Sequence, residues 1–308
     1  MLNSRRKFIK QASLVMAGAG LLPKVIWSRS LTLNTPKQLI GIQLYSVRSD
    51  MAKNPLGTLT ELAKMGYEHV EHANYIDRKF YGYSPSEFKK ILGDLGLAMP
   101  SGHTVMSMKH WDPIKKDFTN AWKYTIEDAA NLGQTYVISP SMDETLTKNY
   151  DGLLFQLDLF NKSGELCKAN GMKFGYHNHN VEFVEKLNGT LMYDLILQHT
   201  NPDLVIQQLD FGNMYGVGGR AKEWIIKYPG RFASLHVKDE MKVPVGEMHD
   251  GFDSTLLGDG VVGPKALCLL AKKISGAYHF IIEQESYQNR TPLECAKINL
   301  DRMKTWGI

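Results

Sequence analysis

Short apolar runs alternate with longer amphipathic stretches eight times along this chain, and that rhythm constrains the fold more than any other feature. The apolar runs are 39–44, 67–71, 97–103, 135–140, 173–179, 204–210, 232–238 and 278–283, each short enough to be a strand. Between and after them lie stretches with helical periodicity, near 55–65, 85–95, 115–132, 150–170, 190–199, 220–228, 264–274 and 291–305. Glycine closes several of these helices just before the next strand, in KMGYEHV, DLGLAM, NLGQTY and ANGMKF. A glycine there adopts the left-handed conformation that ends a helix. Eight strand–helix alternations predict a closed parallel barrel, a (β/α)8 TIM barrel of the α/β class. Such a barrel takes roughly 250 residues, so one domain over 38–308 uses the length. No linker-like stretch interrupts it. The longest region without periodicity, 239–263, follows the seventh strand and is expected to be an irregular loop facing the substrate.

Residues 1–30 read differently. Arg5, Arg6, Lys7, Lys10, Lys24 and Arg29 stand there with no acidic residue, and QASLVMAGAGLL supplies a short apolar run. Positive start, apolar middle and small residues predict a bacterial signal peptide of the twin-arginine type, with Arg5-Arg6 before Phe8. The apolar run falls short of the ~20 residues a membrane-spanning helix needs. No cysteine follows it, so no lipid anchor is expected, and the predicted location is the periplasm. The rest of the chain has 30 basic against 32 acidic residues, which argues against a nucleic-acid or anionic-membrane partner. Cys167, Cys268 and Cys295 are widely spaced and odd in number, as buried structural thiols rather than a disulfide framework would be.

The last four strand candidates each end in a residue able to bind a metal. KFGYHNH carries His177 and His179, DLVIQQLD ends at Asp210, FASLH at His236 and YHFIIE at Glu283. A parallel barrel projects strand C-termini toward one mouth, so these residues converge there although they are distant in sequence. Asp210, before Phe-Gly-Asn, is also placed to open a turn through its side-chain oxygen. Two imidazoles (His177 and His236) with two carboxylates (Asp210 and Glu283) suit one divalent ion of Mn, Zn, Co or Fe better than Mg. Such an ion lowers the cost of removing a proton next to a carbonyl, and Glu283 is the candidate base. Candidate substrate contacts are His179, His103 and Glu71 at strand ends, and Tyr45 at the rim. Lys238 lies on the same side of its strand as His236, and Arg220 opens a helix after GVGG. No Walker, GxGxxG, GxSxG or HExxH motif is present.

LIGIQLYSVR, YHNHNVEF, QLDFGN, SLHVKD, LGDG and IIEQE together resemble the xylose-isomerase-like TIM-barrel family over roughly residues 38–306. That group includes sugar phosphate isomerases/epimerases and inosose dehydratases. The resemblance implies a divalent ion held from strands five to eight, usually by Glu, Asp, His and Glu. Asp210, His236 and Glu283 match the last three. His177 stands where the family's first Glu would be, and this departs from the two-glutamate arrangement that the family's epimerases use on opposite substrate faces. Glu182 is the nearby carboxylate able to return to the mouth if its loop folds back.

The expected function is therefore a metal-dependent isomerase or epimerase of a small sugar, keto-sugar or cyclitol. The alternative is a lyase or dehydratase, inosose dehydratase-like or cleaving 3-keto-glycosides, and behind it a non-catalytic carbohydrate-binding barrel. The apurinic endonucleases that share this barrel need three zincs, for which no second and third ligand sets are evident. Export argues against a phosphorylated substrate. A small carbohydrate is the expected partner, and the sequence leaves open whether the chain forms a homo-oligomer.

Overall fold

A computed structural model describes residues 38–308; the export-signal reading at 1–30 lies outside them. Among the described residues eight strands form one sheet: β1 (Leu39–Gln43), β2 (His69–His72), β3 (Ala98–His103), β4 (Tyr136–Ser139), β5 (Lys173–His177), β6 (Val205–Asp210), β7 (Ser234–Val237) and β8 (His279–Ile282). All neighbouring pairs are parallel, and β1 pairs with both β2 and β8, closing the barrel. The main helices are α1 (Pro55–Met65), α2 (Pro85–Asp94), α3 (Asn120–Leu132), α4 (Tyr150–Ala169), α5 (Met192–His199), α6 (Ala221–Lys227), α7 (Pro264–Ser275) and α8 (Pro292–Lys304). The chain is thus a TIM barrel, as its periodicity predicts.

Local chemistry explains where the helices start and stop. α1, α2, α7 and α8 begin with proline, whose missing N–H costs nothing in the first turn. Ser84 with Glu87 and Thr291 with Glu294 form reciprocal capping boxes. The four predicted closing glycines, Gly66, Gly96, Gly133 and Gly171, all have positive φ.

Apolar contacts fall into two sets because side chains alternate along each strand. Val70, Val137, Phe174, Leu209, Leu235 and Phe280 face the helices and belong to one large buried cluster, each side chain worth roughly 1.5–3 kcal/mol on burial. Tyr136, Ile138 and Ile206 form a separate small cluster with Ala233 and Tyr278. Elsewhere the interior is polar, with Gln43, Glu71, Ser101, Gln208, Ser234 and His279 all buried.

Two expectations are corrected, and one hairpin was not foreseen. The helix predicted from 115 starts at Asn120, because Trp111–Asp112 and Asp117–Phe118 form a hairpin that packs Trp111 against Phe118. The region 239–263 is not irregular throughout. Asp239–Lys242 pairs with Phe252–Thr255, and the Asp239 carboxylate accepts from the backbone N–H groups of Gly258, Gly260 and Val262. A further hairpin, Tyr75–Ile76 with Lys79–Phe80, follows β2 where periodicity signalled nothing. The three cysteines are buried and unpaired.

Candidate active site

β5, β6, β7 and the residue after β8 bring His177, Asp210, His236 and Glu283 together. One donor atom from each lies within 4.8 Å of all the others. His236 Nδ1 is 3.0 Å from Glu283 Oε2 and 3.8 Å from Asp210 Oδ2. Asp210 uses its two oxygens differently. Oδ1 accepts from the backbone N–H of Asn213 at 2.7 Å, which is the turn the sequence allows. Oδ2 is buried with no hydrogen-bond partner among the described residues, a costly state for a carboxylate oxygen unless a cation meets it. Burial first, and Glu283 next among the raising effects, push the Asp210 carboxyl up to about 7.

The neighbouring groups respond to the same crowding. Burial opposes ionisation of Glu283, yet the His236 charge and hydrogen bond hold it well below the usual carboxylate range. Burial also opposes protonation of His236, but Glu283 and Glu71 outweigh it and raise the imidazole to about 10. Burial, then His236 and His103, keep His177 well below its ordinary value and so neutral, the form that binds metals. A proton on His236 is favoured by Glu283 and Glu71. A divalent cation held by the four donors would offer the same carboxylates a positive partner. The open Asp210 oxygen, the neutral His177 and the mixed N/O donor set all fit such an ion.

His103 sits beside this cluster and forms a second close group with His177 and His236. Its Nε2, however, is 2.7 Å from Gln208 Oε1 and 3.1 Å from Glu71 Oε1. The group containing Asp210 and Glu283 is therefore the better ion site.

A cavity of about 310 Å³ opens at the cluster, walled in part by Tyr45, His103, His177, His179, Asn213 and Glu283. This is near the lower end of the ~300–1,000 Å³ typical of small-ligand sites and suits a single sugar ring. Among the described residues neither Lys nor Arg lines it, although Glu283 and Glu285 both do.

The remaining predicted contacts are placed elsewhere. Glu71 lies beneath the mouth, fully buried. Its Oε1 bonds Gln43 Nε2 at 2.8 Å and His236 Nε2 at 2.6 Å. Its Oε2 accepts from Ser101 and from Gln208 Nε2. Lys238 is buried behind the wall, bonded to Glu285 Oε1 at 2.6 Å and Asn213 Oδ1 at 3.0 Å. A Cβ on Gly212 would fall 2.7 Å from Lys238 Cγ, so glycine lets the β6 loop close over it. Arg220 is exposed, spends its hydrogen bonds on the Tyr215 and Gly219 carbonyls and lies over the Tyr215 ring. Its helix has only seven residues. Glu182 does not return to the mouth; it accepts from the Tyr176 hydroxyl and from the His179 N–H at 3.0 Å. It thereby fixes the loop that carries His179.

Two residues at the site were not singled out from the sequence. Gln208 Oε1 receives both His103 and His177 Nδ1, the latter at 3.1 Å. Asn213 bridges Lys238, the Asn178 carbonyl and His177 Nε2. A signal for Gln208 exists: it is polar inside a buried strand and shares its inward face with Asp210.

The sequence model of the xylose isomerase-like TIM barrel family matches residues 59–306. An inosose dehydratase of Clostridium perfringens is 26% identical over 201 residues, 62% of this chain and 65% of that protein. The match therefore spans less than two thirds of that relative's length. A crystal structure of a sugar phosphate isomerase/epimerase from Parabacteroides distasonis superposes with a TM-score of 0.75 at 26% identity, covering 90% of this chain and 97% of that one. The IOLI protein with a bound zinc atom superposes at 0.67 with 15% identity, covering 87% and 97%, a likeness of fold.

Proposed function

Because this chain belongs to the xylose isomerase-like TIM barrel family, we propose that it is a divalent-metal-dependent sugar isomerase or epimerase. It moves a proton on the carbon next to a carbonyl in a small sugar, keto-sugar or cyclitol. The observation that carries this reading is the open Asp210 Oδ2 within a four-donor cluster, two members of which, His177 and Glu283, line a ring-sized cavity. His177, Asp210, His236 and Glu283 would hold the ion. When bound, it supplies Lewis-acid polarisation of the substrate carbonyl.

The protein's own groups do the rest. Glu283 is held ionised and lines the cavity, so it takes the proton from the α-carbon, and in an isomerisation it returns that proton to the neighbouring carbon. Burial keeps His179 below its ordinary value, and as a neutral imidazole it donates to or accepts from a hydroxyl. Asn213 and His103 orient the ring, with Tyr45 against its face. An uncharged substrate is favoured, since the cavity offers two carboxylates and no Lys or Arg to a phosphate. On the strength of the Arg5-Arg6 signal, we place this activity in the periplasm.

His177 favours a second reading. With imidazole in place of a second carboxylate, a base acts from one side only. That suits a lyase, which removes the proton and expels a β-substituent without returning it; the inosose dehydratase likeness points the same way. Incubation of keto-sugars and cyclitols with the purified protein in heavy water, followed by NMR, distinguishes the readings. Deuterium at the α-carbon with an intact skeleton supports isomerisation, and loss of a substituent supports the lyase. Neither outcome across a broad panel, with ligands still binding, overturns both.

A further inference from the structure

The ring-sized cavity borders a larger one. A second cavity, of about 710 Å³, shares Ala73, His103 and Val105 with it. Its outer wall is the Tyr75–Phe80 hairpin after β2, and the opposite side is formed by Lys109, His110 and the α3 residues Ala121, Tyr124 and Thr125. A single sugar ring at the ligand cluster leaves this larger space unfilled.

Its lining indicates the chemistry of what fills it. Ile76 is 61% exposed, Tyr124 42% and Val105 40%, so apolar and aromatic surface is available to the C–H face of a ring. Asn74, Thr104 and Asp77 stand among them as hydrogen-bonding groups. Alternation of apolar faces with hydroxyl partners suits a carbohydrate ring better than a purely apolar or purely charged ligand. Among the described residues two cations line this cavity, Arg78 and Lys109, and the first is not free to meet a phosphate. Arg78 is committed to the buried Asp128, through Nε at 2.9 Å and Nη2 at 2.5 Å, and also lies near Glu127.

The wall is also built in advance. Tyr75 and Arg78 both grip Asp128 on α3, and the Arg78 guanidinium lies 4.3 Å from the Tyr124 ring centroid. The turn between them places Asp77 and Arg78 at φ of 50° and 60°, a two-residue hairpin turn. A preorganised wall adds affinity because little ordering remains to be done on binding.

We propose that the substrate is a two-ring carbohydrate, a disaccharide or longer glycoside. Its reacting ring occupies the ligand cluster, and its second ring lies across the larger cavity against Tyr124 and Ile76. This rests on the sugar-directed function proposed above and specifies its substrate class.

The test is calorimetric titration of the manganese-loaded protein with glucose and galactose, then with cellobiose, sophorose, laminaribiose, maltose and lactose, and with glucose 6-phosphate. At least one disaccharide is expected to bind about tenfold or more tighter than its monosaccharide. Tyr124→Ala and, independently, Ile76→Asp should bring that ratio close to one. Ile76 is 61% exposed and Tyr124 42%, so neither substitution opens a hole in the core and the variants are expected to fold, as circular dichroism will show. Monosaccharide binding with no disaccharide advantage, an advantage that survives both substitutions, or preference for glucose 6-phosphate overturns the two-ring proposal while leaving the sugar function standing. Binding of none of these sugars overturns both.

Discussion

Glu71 on β2 and His236 on β7 meet across the barrel interior, with Glu71 Oε1 2.6 Å from His236 Nε2. The two strands are not neighbours in the sheet, so the contact exists only because the barrel is closed. It fixes the imidazole so that Nδ1 faces Glu283 and Asp210. A carboxylate holding the far nitrogen of a histidine ligand orients the ring and raises its basicity. Glu71→Gln is therefore expected to weaken divalent-metal affinity by about 10- to 100-fold. Competition titration against a chelator measures it, and an unchanged affinity would remove Glu71 from the site.

Asp210→Asn tests the open oxygen. The substitution keeps the Asn213 turn through an amide oxygen and removes the charge that a cation would meet. Stoichiometric metal binding, one ion per chain in the parent, should be lost together with substrate proton exchange. Retention of a full equivalent of metal in the variant would place the ion elsewhere.

Chelation should behave as the same lesion made reversibly. Exhaustive treatment with a chelator is expected to abolish α-proton exchange, with recovery on adding manganese or zinc. Full exchange activity in protein shown by elemental analysis to be metal-free would refute the proposed chemistry.

His177→Glu asks whether the departure at β5 limits the reaction. A second carboxylate on that side should increase the epimerised fraction in heavy water relative to isomerised product, with metal still bound. No change in product ratio would mean that His177 does not set the stereochemical outcome.

Asp128→Ala tests the hairpin anchor. Tyr75 and Arg78 lose a shared buried partner, which is expected to cost about 1–3 kcal/mol. Hydrogen exchange should accelerate at residues 75–80, and protection unchanged there would show that the hairpin is held by other contacts.

Much of this protein was legible in its sequence because the signals are local. The eightfold alternation, the prolines that open helices and the glycines that close them are set by neighbours a few residues away. The strand-end positions of His177, Asp210, His236 and Glu283 follow from where each apolar run stops. The hairpins after β2, β3 and β7 were missed because their strands, two to four residues long, are too short to show a period.

Alternation along a strand tells which side a residue faces, not how deep it sits or what already occupies its partners. Glu71, His103 and Lys238 carry the same strand-end signature as the ligand candidates. The stagger of the closed barrel sinks Glu71 among Gln43, Ser101 and Gln208, leaves His103 on the wall and ties Lys238 to Glu285 behind it. Those partners come from strands far apart in the chain. The sequence by itself determined the barrel and the residues able to serve as ligands. Only the tertiary structure decided which of them face the cavity and which support it, because that choice depends on contacts between strands that no local pattern records.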